Sequence, residues 1–514
     1  MTSPRRRSTP DLLTIRRDVS LAVLSRAKTA ADHHEDLGCS ILGPASRAVR
    51  DAHGWLKREV QRLGEEEASR RARTLVKKLE ATPAYARLGT GQKKNGRLAL
   101  RDDMLFPDPA RFPPRVLHIR RGGLGFDLEV SAAEWPAIAD CCAALGRGLT
   151  VAERRLFSRV TVCRTLLDEL SGAGWLERHD GASTLPSSGF TFIGHNTTLV
   201  RDGGASVLID PYFRPMSALD LPSYPPMQAR DLGGVDAVCI THSHGDHFHL
   251  GSLLTLPRDT AIFVPPVEKE SLFSTDCVAR LEQLGFTNVH APGWFSSRKV
   301  GALSVHAMPF YGEQPTDGTG VYDDLFNLGT TWAVRGPNIS AAFFADSGDD
   351  VRGRMSEVCE LARRGGPIDV LFCGVRGFRL KPIFFGFTTL DAYLVNVPLE
   401  ALTTPQQLMA GPTEALAYAK RLGAKTLVPC ADGGAPWYWR EGMGPRYPGY
   451  PGVPVEGASS HDENPDADPY PERAVTARKR GDAAVTVLRP GEALTGGRVT
   501  PLPGFTWPFE RLQP

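Results

Sequence analysis

The chain has 514 residues, of which 41% are hydrophobic and 23% charged, and its formal net charge is +2 at pH 7. A charge so close to zero argues against a nucleic-acid-binding protein, and no apolar run approaches the ~18 residues that would span a membrane. The nine cysteines contain no CxxC pair and several lie in apolar runs, which favours buried thiols and a cytoplasmic location.

Four parts of the chain differ in composition and in the spacing of their apolar residues. The length of the chain likewise predicts a multidomain protein. Apolar positions recur at helical spacing from residue 10 to residue 85, which predicts a helical N-terminal segment. A predicted hairpin at Gly122-Gly123, followed by helical patterns, indicates a small α+β domain of winged or partner-docking type. The predicted parts are the helical segment 1–98, the α+β domain 99–185, a large domain 186–440 and a Pro- and Gly-rich C-terminal extension 441–514.

The large domain contains short apolar runs separated by turns and by helical patterns. A hairpin around Asp202-Gly203-Gly204 comes first. The later predicted strands are VDAVCI (235–240), TAIFVPP (260–266), ALSVHAMPF (302–310), TTWAVRG (330–336), NISAAFFAD (338–346), IDVLFCGV (368–375) and KTLVPC (425–430), and the predicted helices are 267–285, 353–364 and 413–422. Hairpins followed by strands that alternate with helices predict two sheets packed face to face, with helices outside.

The stretch ITHSHGDHFHL, residues 240–250, places four histidines and an aspartate within nine positions. His242 and His244 alternate on an extended segment, so their side chains point to one side. Asp246 and His247 follow at a glycine turn and can reach a second ion. The apolar run before them reads as a buried strand, and loops at strand ends are where binding sites are commonly built. The pattern predicts a metal site.

The cluster is one of several motifs that occur in a recognisable order. Gly194-His195 and Leu208-Ile209-Asp210-Pro211 precede it, and Ala345-Asp346-Ser347-Gly348 follows. This order resembles the metallo-β-lactamase fold superfamily, including its lactonases and its N-acyl-phosphatidylethanolamine phospholipase D, over roughly residues 190–435. The resemblance implies an α/β fold, an αββα sandwich with a dinuclear metal site at one edge. Here a helical and small α+β region would precede the sandwich.

Two positions depart from the usual zinc-binding pattern of that superfamily, which adds a third histidine, a bridging aspartate and a final histidine. Asp346 matches the bridging aspartate, but Glu313 stands at the third-histidine position and no histidine directly follows the run AKTLVPC, after which the chain reads Ala431-Asp432-Gly433-Gly434. Carboxylate-rich donor sets favour iron or manganese more than histidine-rich sets do. The resemblance implies six ligands for two ions: His242, His244 and Glu313 for one, and Asp246, His247 and bridging Asp346 for the other.

The same departures are found in the diiron β-hydroxylase branch, the relatives of the β-hydroxylase of chloramphenicol biosynthesis. Those proteins place a large N-terminal domain before the metal-binding domain and use O2 to hydroxylate an amino acid tethered to a carrier protein. The resemblance implies a cytoplasmic non-haem diiron oxygenase with two iron ions and a small-molecule or carrier-tethered substrate. An external electron donor is implied too, because the chain lacks the motifs of nucleotide, haem and iron–sulfur cofactors. The N-terminal helices are candidates for a homodimer contact.

Two other functions stay open from the sequence. One is a zinc- or manganese-dependent hydrolase, such as a lactonase, a phosphodiesterase or a phospholipase-D-like enzyme, in which a metal-bound hydroxide attacks an ester or phosphate. It would need Asp432, His461 or water to complete the site. The other is a scaffold without catalysis, and the presence of all six ligand residues argues against that.

Five residues are expected near the site, in supporting or substrate-binding roles. His195 lies in a loop that usually flanks such a centre, although a turn-stabilising role is equally compatible with its position. Asp210 is expected to orient loops or ligand histidines. Asp432 could replace the missing final ligand. Arg376 and Arg379 could hold an anionic substrate or carrier phosphopantetheine, with structural ion pairing as the alternative.

Overall fold

The structure is a computed structural model that describes residues 12–25, 44–121, 123–179, 184–213, 227–314, 320–375, 377, 379–387, 391–431 and 477–505. Among these residues, no helix combines the length and the apolar character that a membrane crossing requires.

The N-terminal part, residues 12–179, combines helices with three small sheets. Its strands are β1 (Leu12–Ile15), β2 (Ser20–Leu24), β3 (Gly89–Lys94), β4 (Arg97–Leu100), β5 (Val116–Arg121), β6 (Leu124–Glu129) and β7 (Leu176–His179). Its helices are α1 (Pro44–Leu63), α2 (Glu65–Arg70), α3 (Ala72–Glu80), α4 (Pro83–Ala86), α5 (Asp102–Leu105), α6 (Trp135–Arg147), α7 (Val151–Phe157) and α8 (Thr161–Gly172). Strand β1 pairs with β7, β3 pairs with β4, and β2 and β6 flank β5.

The remainder of the described chain forms a sandwich. Its strands are β8 (Gly189–Gly194), β9 (Thr197–Asp202), β10 (Ala205–Ile209), β11 (Ala237–Cys239), β12 (Ala261–Phe263), β13 (Val289–His290), β14 (Ser297–Val300), β15 (Leu303–Pro309), β16 (Thr330–Arg335), β17 (Ser340–Phe343), β18 (Val370–Cys373), β19 (Arg379–Leu380), β20 (Gln406–Gln407), β21 (Thr426–Pro429), β22 (Ala484–Val485), β23 (Glu492–Thr495) and β24 (Arg498–Pro501). Its helices are α9 (Leu250–Leu253), α10 (Cys277–Gln283), α11 (Met355–Arg364) and α12 (Pro412–Leu422), and the 3-10 helices Pro382–Phe387 and Asp391–Asn396 lie between β19 and β20.

Two large sheets make the sandwich. The first has the order β13-β12-β11-β10-β9-β8-β23-β24, and the second has the order β14-β15-β16-β17-β18-β21-β22. Each large sheet contains parallel strands. In the first sheet β10 is parallel to β11, and in the second sheet β17 is parallel to β18. Parallel strands bring their carboxyl ends to one edge of their sheet. The loops after β10 and β11 leave the first sheet at such an edge, and the loop after β17 leaves the second sheet in the same way.

Apolar side chains fill the space between the sheets and cover both outer faces. The inner core holds large aromatic residues from both sheets, including Phe192, Trp332 and Phe372. Helices α11 and α12 pack on the outer face of the second sheet, and α6 and α8 pack on that of the first. This confirms the predicted αββα arrangement.

Two predicted helices are wrong in part. The helical pattern predicted from residue 10 begins with strands β1 and β2. Leu21 and Val23 of β2 are buried, as is Val19 just before the strand, and β2 pairs with β5, so a period of two prevails over the helical spacing. The helix predicted over 267–285 is formed only at Cys277–Gln283, where Asp276 caps its first turn by accepting from the Ala279 amide at 3.0 Å.

The four-part division of the chain stays a prediction, and strand pairing crosses one of its boundaries. Residues assigned to the C-terminal extension supply β22, which pairs with β21, and β23, which pairs with β8. Both large sheets are therefore completed by strands from beyond residue 477. The Pro- and Gly-rich composition around them conceals these short strands.

Candidate metal centre

The histidine cluster begins directly after β11, at the sheet edge where the parallel strands end. His242 and His247 are fully buried, whereas His244 is partly exposed. The amides of His247 and Phe248 both donate to the carbonyl of His244, at 3.0 and 2.7 Å. This turn returns the chain on itself, so the rings of His242 and His247 lie with their centroids 4.1 Å apart.

One group of donors is formed by His242, His244 and Glu313. His242 Nε2 lies 3.1 Å from His244 Nδ1, and Glu313 Oε2 lies 3.2 Å from the former and 2.7 Å from the latter. Ligands bound at about 2.0–2.2 Å to one ion stand roughly 3 Å from each other. The three atoms therefore have the spacing of ligands that share an ion.

A second group is formed by His195, Asp246 and His247. His195 Nε2 lies 3.0 Å from His247 Nε2 and 3.2 Å from Asp246 Oδ2. The sequence predicts a place beside the ligands for His195, whereas the geometry gives it the position of a further nitrogen donor. The left-handed turn between β8 and β9, where His195 has φ 54°, directs its ring toward this group.

Asp346 lies between the two groups. Its Oδ2 is 3.2 Å from His247 Nε2 and 3.9 Å from His242 Nε2. Its Oδ1 is buried and has no hydrogen-bond partner among the described residues. Leaving a buried carboxylate oxygen without a partner is unfavourable unless an ion satisfies it. The donor set and this oxygen fit a dinuclear metal site bridged by Asp346.

The charges of the cluster are mutually dependent. Burial opposes ionisation of Glu313, but the charges of His244 and His242 outweigh it and hold the pKa of Glu313 below its ordinary value. Burial likewise opposes charge on His247, yet Asp346 and Asp246 raise the pKa of its imidazole well above the usual value. The buried carboxylates thus require nearby positive charge, which bound divalent ions would supply.

Asp210, at the end of β10, accepts four hydrogen bonds. Its donors are Asn196 Nδ2 at 2.6 Å, the Thr241 amide at 2.7 Å, Thr241 Oγ1 at 2.6 Å and His247 Nδ1 at 2.8 Å. Thr241 Oγ1 also lies 3.1 Å from His242 Nδ1. The outer nitrogens of His242 and His247 are therefore held away from the site, and their Nε2 atoms face it. These contacts are those that the predicted orienting role of Asp210 would require, since metal-binding histidines commonly donate their outer nitrogen to a carboxylate.

Backbone strain is concentrated around this centre. Of the residues described, seven other than glycine have positive φ, and five of these adjoin the site: His195 (54°), Asp210 (40°), Glu313 (49°), Ala345 (48°) and Ala431 (65°). Such conformations cost roughly 1–3 kcal/mol each and persist where surrounding structure enforces them, commonly at functional sites. The strained conformations are therefore found at the residues that carry or adjoin the candidate ligands.

For the remaining predicted residues the structure describes no side-chain position relative to the centre. Arg376 and Asp432 lie outside the described residues, as does His461. Arg379 belongs to β19 and pairs with Gln407 through the backbone. The Ala431 amide donates to the carbonyl of His195 at 2.9 Å, so the chain reaches the site immediately before residue 432.

Four contacts of the centre were not found by sequence reasoning. Asn327 Nδ2 donates to Glu313 Oε2 at 3.3 Å, and Asn196 and Thr241 contact Asp210 as described above. Asn196 and Thr241 each adjoin a predicted site histidine, so their position in the chain could have suggested them. A fourth contact, between His244 and Tyr393, joins residues that no motif connects.

Comparison with known proteins finds a family and a relative whose sequences resemble this chain. Residues 205–430 match the family described as beta-lactamase superfamily domain. Over 200 residues the chain is 28% identical to the 4-amino-L-phenylalanyl-[CmlP-peptidyl-carrier-protein] 3-hydroxylase of Streptomyces venezuelae, and this alignment covers 38% of the chain and 35% of the relative. The sequence match thus spans about a third of the relative's length.

Solved structures show a similar fold. The crystal structure of CmlA, a diiron beta-hydroxylase from Streptomyces venezuelae, superposes with a TM-score of 0.55 at 18% identity, covering 96% of this chain and 100% of that one. A mutant of CmlA gives a TM-score of 0.50 at 18% identity, covering 83% and 93%. At this identity the likeness shows the fold, which here includes the N-terminal part as well as the sandwich.

Proposed function

We propose that this chain, which carries a beta-lactamase superfamily domain at residues 205–430 and has the metallo-β-lactamase fold, is a non-haem diiron oxygenase. Its substrate would be derived from an amino acid and hydroxylated or otherwise oxidised with O2. The single observation that carries the proposal is Glu313, whose Oε2 lies within 3.2 Å of His242 Nε2 and 2.7 Å of His244 Nδ1. This contact supports the inference from the family resemblance that a carboxylate replaces the third imidazole of the zinc-binding members.

The side chains divide into holders of two ions. His242, His244 and Glu313 would hold one ion, and Asp246 and His247, with His195 nearby, would hold the other, while Asp346 would bridge them. Iron bound there would supply the activation of O2 that protein side chains cannot perform. Oxygen donors from three carboxylates favour iron over zinc, although His195 adds a nitrogen donor to the second ion.

The protein itself provides shape and orientation. Asp210 and Thr241 fix the tautomers of His247 and His242, and Asn327 restrains Glu313. The partly exposed side chains of His244 and Asp246, 26% and 24% accessible, mark the open side of the centre. We infer that the substrate approaches there, either free or tethered to a carrier protein as the name of the Streptomyces relative states for its own substrate. Electrons would come from a separate donor.

Metal analysis and turnover test the proposal together. The protein is purified, its iron, zinc and manganese are quantified, and the iron-loaded form is mixed with O2, a chemical reductant and aminoacyl carrier proteins. Two irons per chain, a near-ultraviolet oxo-bridge band and a product heavier by one oxygen atom are expected. Stoichiometric zinc, with ester or phosphodiester hydrolysis that needs no O2, would replace the proposal with the hydrolase alternative.

A further inference from the structure

The three proposed ligand histidines of the motif, His242, His244 and His247, each have their outer nitrogen in contact with an oxygen atom, and the partner of His244 differs in kind from those of the other two. Its Nδ1 faces Glu313 Oε2 at 2.7 Å, on the side where the ion would lie. Its Nε2 lies 2.8 Å from the hydroxyl oxygen of Tyr393. When Nδ1 binds a metal, the ring proton is on Nε2, so Nε2–H donates to the Tyr393 hydroxyl.

The ring of Tyr393 has little freedom to move. The side chain is 3% exposed and packs edge-on against Phe273, with ring centroids 4.2 Å apart and planes at 88°. Two residues after Phe273, the Thr275 amide donates at 2.9 Å to the hydroxyl of Ser243, which lies between His242 and His244. The phenol and the ligand loop are therefore fixed to the same framework, and the Tyr393–His244 contact has a defined geometry.

The segment that carries Tyr393 is held by the N-terminal part of the chain. Arg50 Nε donates to Asp391 Oδ2 at 3.0 Å, and His53 Nδ1 donates to the Asp391 carbonyl at 3.0 Å. From β4, the buried Arg97 donates to the carbonyl of Leu394 at 3.1 Å. Contacts from helix α1 and from β4 thus fix the 3-10 helix Asp391–Asn396 on both sides of Tyr393.

We propose that Tyr393 is a positioning residue of the metal centre, and that it connects the N-terminal part to the ligand His244. The inference rests on the proposed metal site, but it is independent of whether the metal is iron and of the reaction. Asp210 and Thr241 orient their histidines from within the sandwich. Tyr393 orients the third from a segment that α1 and β4 hold, so the N-terminal part contributes to metal binding without supplying a ligand.

The substitution Tyr393→Phe tests this role because it keeps the ring against Phe273 and removes only the hydroxyl. Outer partners of ligand histidines typically change metal affinity by about 10–100-fold. The expected result is a loss of that size for one of the two ions, measured by chelator competition with zinc or cobalt, while the other ion keeps its affinity. The visible spectrum of the cobalt-loaded protein should change as well, because one ligand ring is no longer fixed.

Tyr322→Phe is the matched control. Its hydroxyl is also in a buried environment, but it accepts from the Leu100 amide at 2.7 Å and makes no contact with the cluster. This variant should bind both ions as the parent does and give the parent cobalt spectrum. Thermal unfolding of the metal-free proteins compares their stabilities, so a general loss of folding in Tyr393→Phe would be recognised.

A second variant keeps the inference testable if Tyr393→Phe does not fold. Arg50→Gln removes the charge that holds Asp391, and it should weaken the same ion in the same direction by a smaller factor. Unchanged affinity for both ions and an unchanged cobalt spectrum in Tyr393→Phe, or in Arg50→Gln when the first is unfolded, would overturn the inference. If the parent binds two zinc ions and lacks O2 chemistry, the oxygenase proposal fails while a weakened ion in Tyr393→Phe still supports the positioning role. A parent that binds no metal refutes both.

Discussion

His247 Nδ1 lies 2.8 Å from Asp210 Oδ2, and the opposite nitrogen of the same ring lies 3.2 Å from Asp346 Oδ2. One imidazole thus connects two carboxylates with different roles. Asp210 is fully buried and accepts only from protein donors, whereas Asp346 retains an oxygen without a partner among the residues described. The first carboxylate orients the ring, and the second has an oxygen available to bind an ion.

Asp210→Asn should lower the affinity for the ion at His247 by about 10–100-fold. Four donors converge on this carboxylate, and an amide would place an N–H group against some of them. Zinc competition measures the change. Asp202→Asn is the control, since Asp202 is a buried carboxylate at the end of β9 that accepts from Asn338 at 2.7 and 2.9 Å. Equal affinities in the two variants would contradict the orienting role.

Glu313→Gln should reduce metal content from two ions to about one per chain, because it removes a negative charge from the donor set of the first ion. The amide keeps the volume of the side chain, so the fold should persist. Metal analysis after dialysis gives the stoichiometry. Glu492→Gln, which alters a buried glutamate that accepts from the Arg489 amide at 2.8 Å, should keep both ions. If Glu313→Gln bound two ions tightly, Glu313 would not be a required ligand, and the oxygenase proposal would lose its main support.

The order of strands and the ligand cluster were accessible from the sequence because both leave local patterns. Apolar runs mark β11, β17 and β21, and the histidine motif follows the first of these directly. Glu313 was identified through the family resemblance, as the residue after a predicted strand at the position where relatives have a third histidine. These features depend on residues that are neighbours in the chain, so periodicity and spacing reveal them.

Other features depend on contacts between distant parts of the chain and leave no such pattern. Tyr393 follows His244 by 149 positions, and nothing in its own segment indicates a hydrogen bond to a ligand. The donor position of His195 depends on a left-handed backbone conformation, which only a few per cent of residues other than glycine adopt. Strand β2 resembles a helix in sequence because Leu21 and Val23 are buried only through packing that follows its pairing with β5.

Gly312→Ala should disturb the first ion by displacing Glu313. Gly312 has φ 113°, and a Cβ there would lie 2.5 Å from the backbone nitrogen of Gly348. Overlap with backbone cannot be relieved by a rotamer change, so a loss of about 3 kcal/mol in unfolding free energy is expected, together with lower metal content. Urea unfolding and metal analysis provide the two values.

Gly204→Ala separates the steric effect from the backbone effect. Gly204 also has positive φ, 81°, but a Cβ at that position meets nothing within 4 Å. The expected loss is only about 1 kcal/mol, the usual cost of a left-handed alanine, and both ions should remain bound. If the two alanine variants behaved alike, close approach of the backbone at Gly312 would not be what places Glu313.

His53 should make the stability of the N-terminal part depend on pH. Burial and the nearby Arg97 charge lower the pKa of His53 from 6.5 to about 3, and its Nε2 is buried with no partner among the residues that the structure describes. The unfolded chain gains the proton first as pH falls. The stabilisation from the neutral ring is therefore complete above the unfolded pKa and is lost progressively as pH falls from 6.5 toward 3.

Between pH 7 and pH 5 this loss amounts to about 2 kcal/mol, since each pH unit below the unfolded pKa contributes ~1.4 kcal/mol. Urea unfolding of the parent and of His53→Gln at both pH values isolates the contribution, because glutamine can donate to the Asp391 carbonyl but does not titrate. The variant should lose about 2 kcal/mol less than the parent over this range. His290→Gln alters an exposed histidine and should keep the parent's pH dependence. An identical pH dependence in the parent and His53→Gln would mean that His53 is able to accept a proton in the folded protein, and the packing of α1 against Asp391 would then be looser than its hydrogen bond indicates.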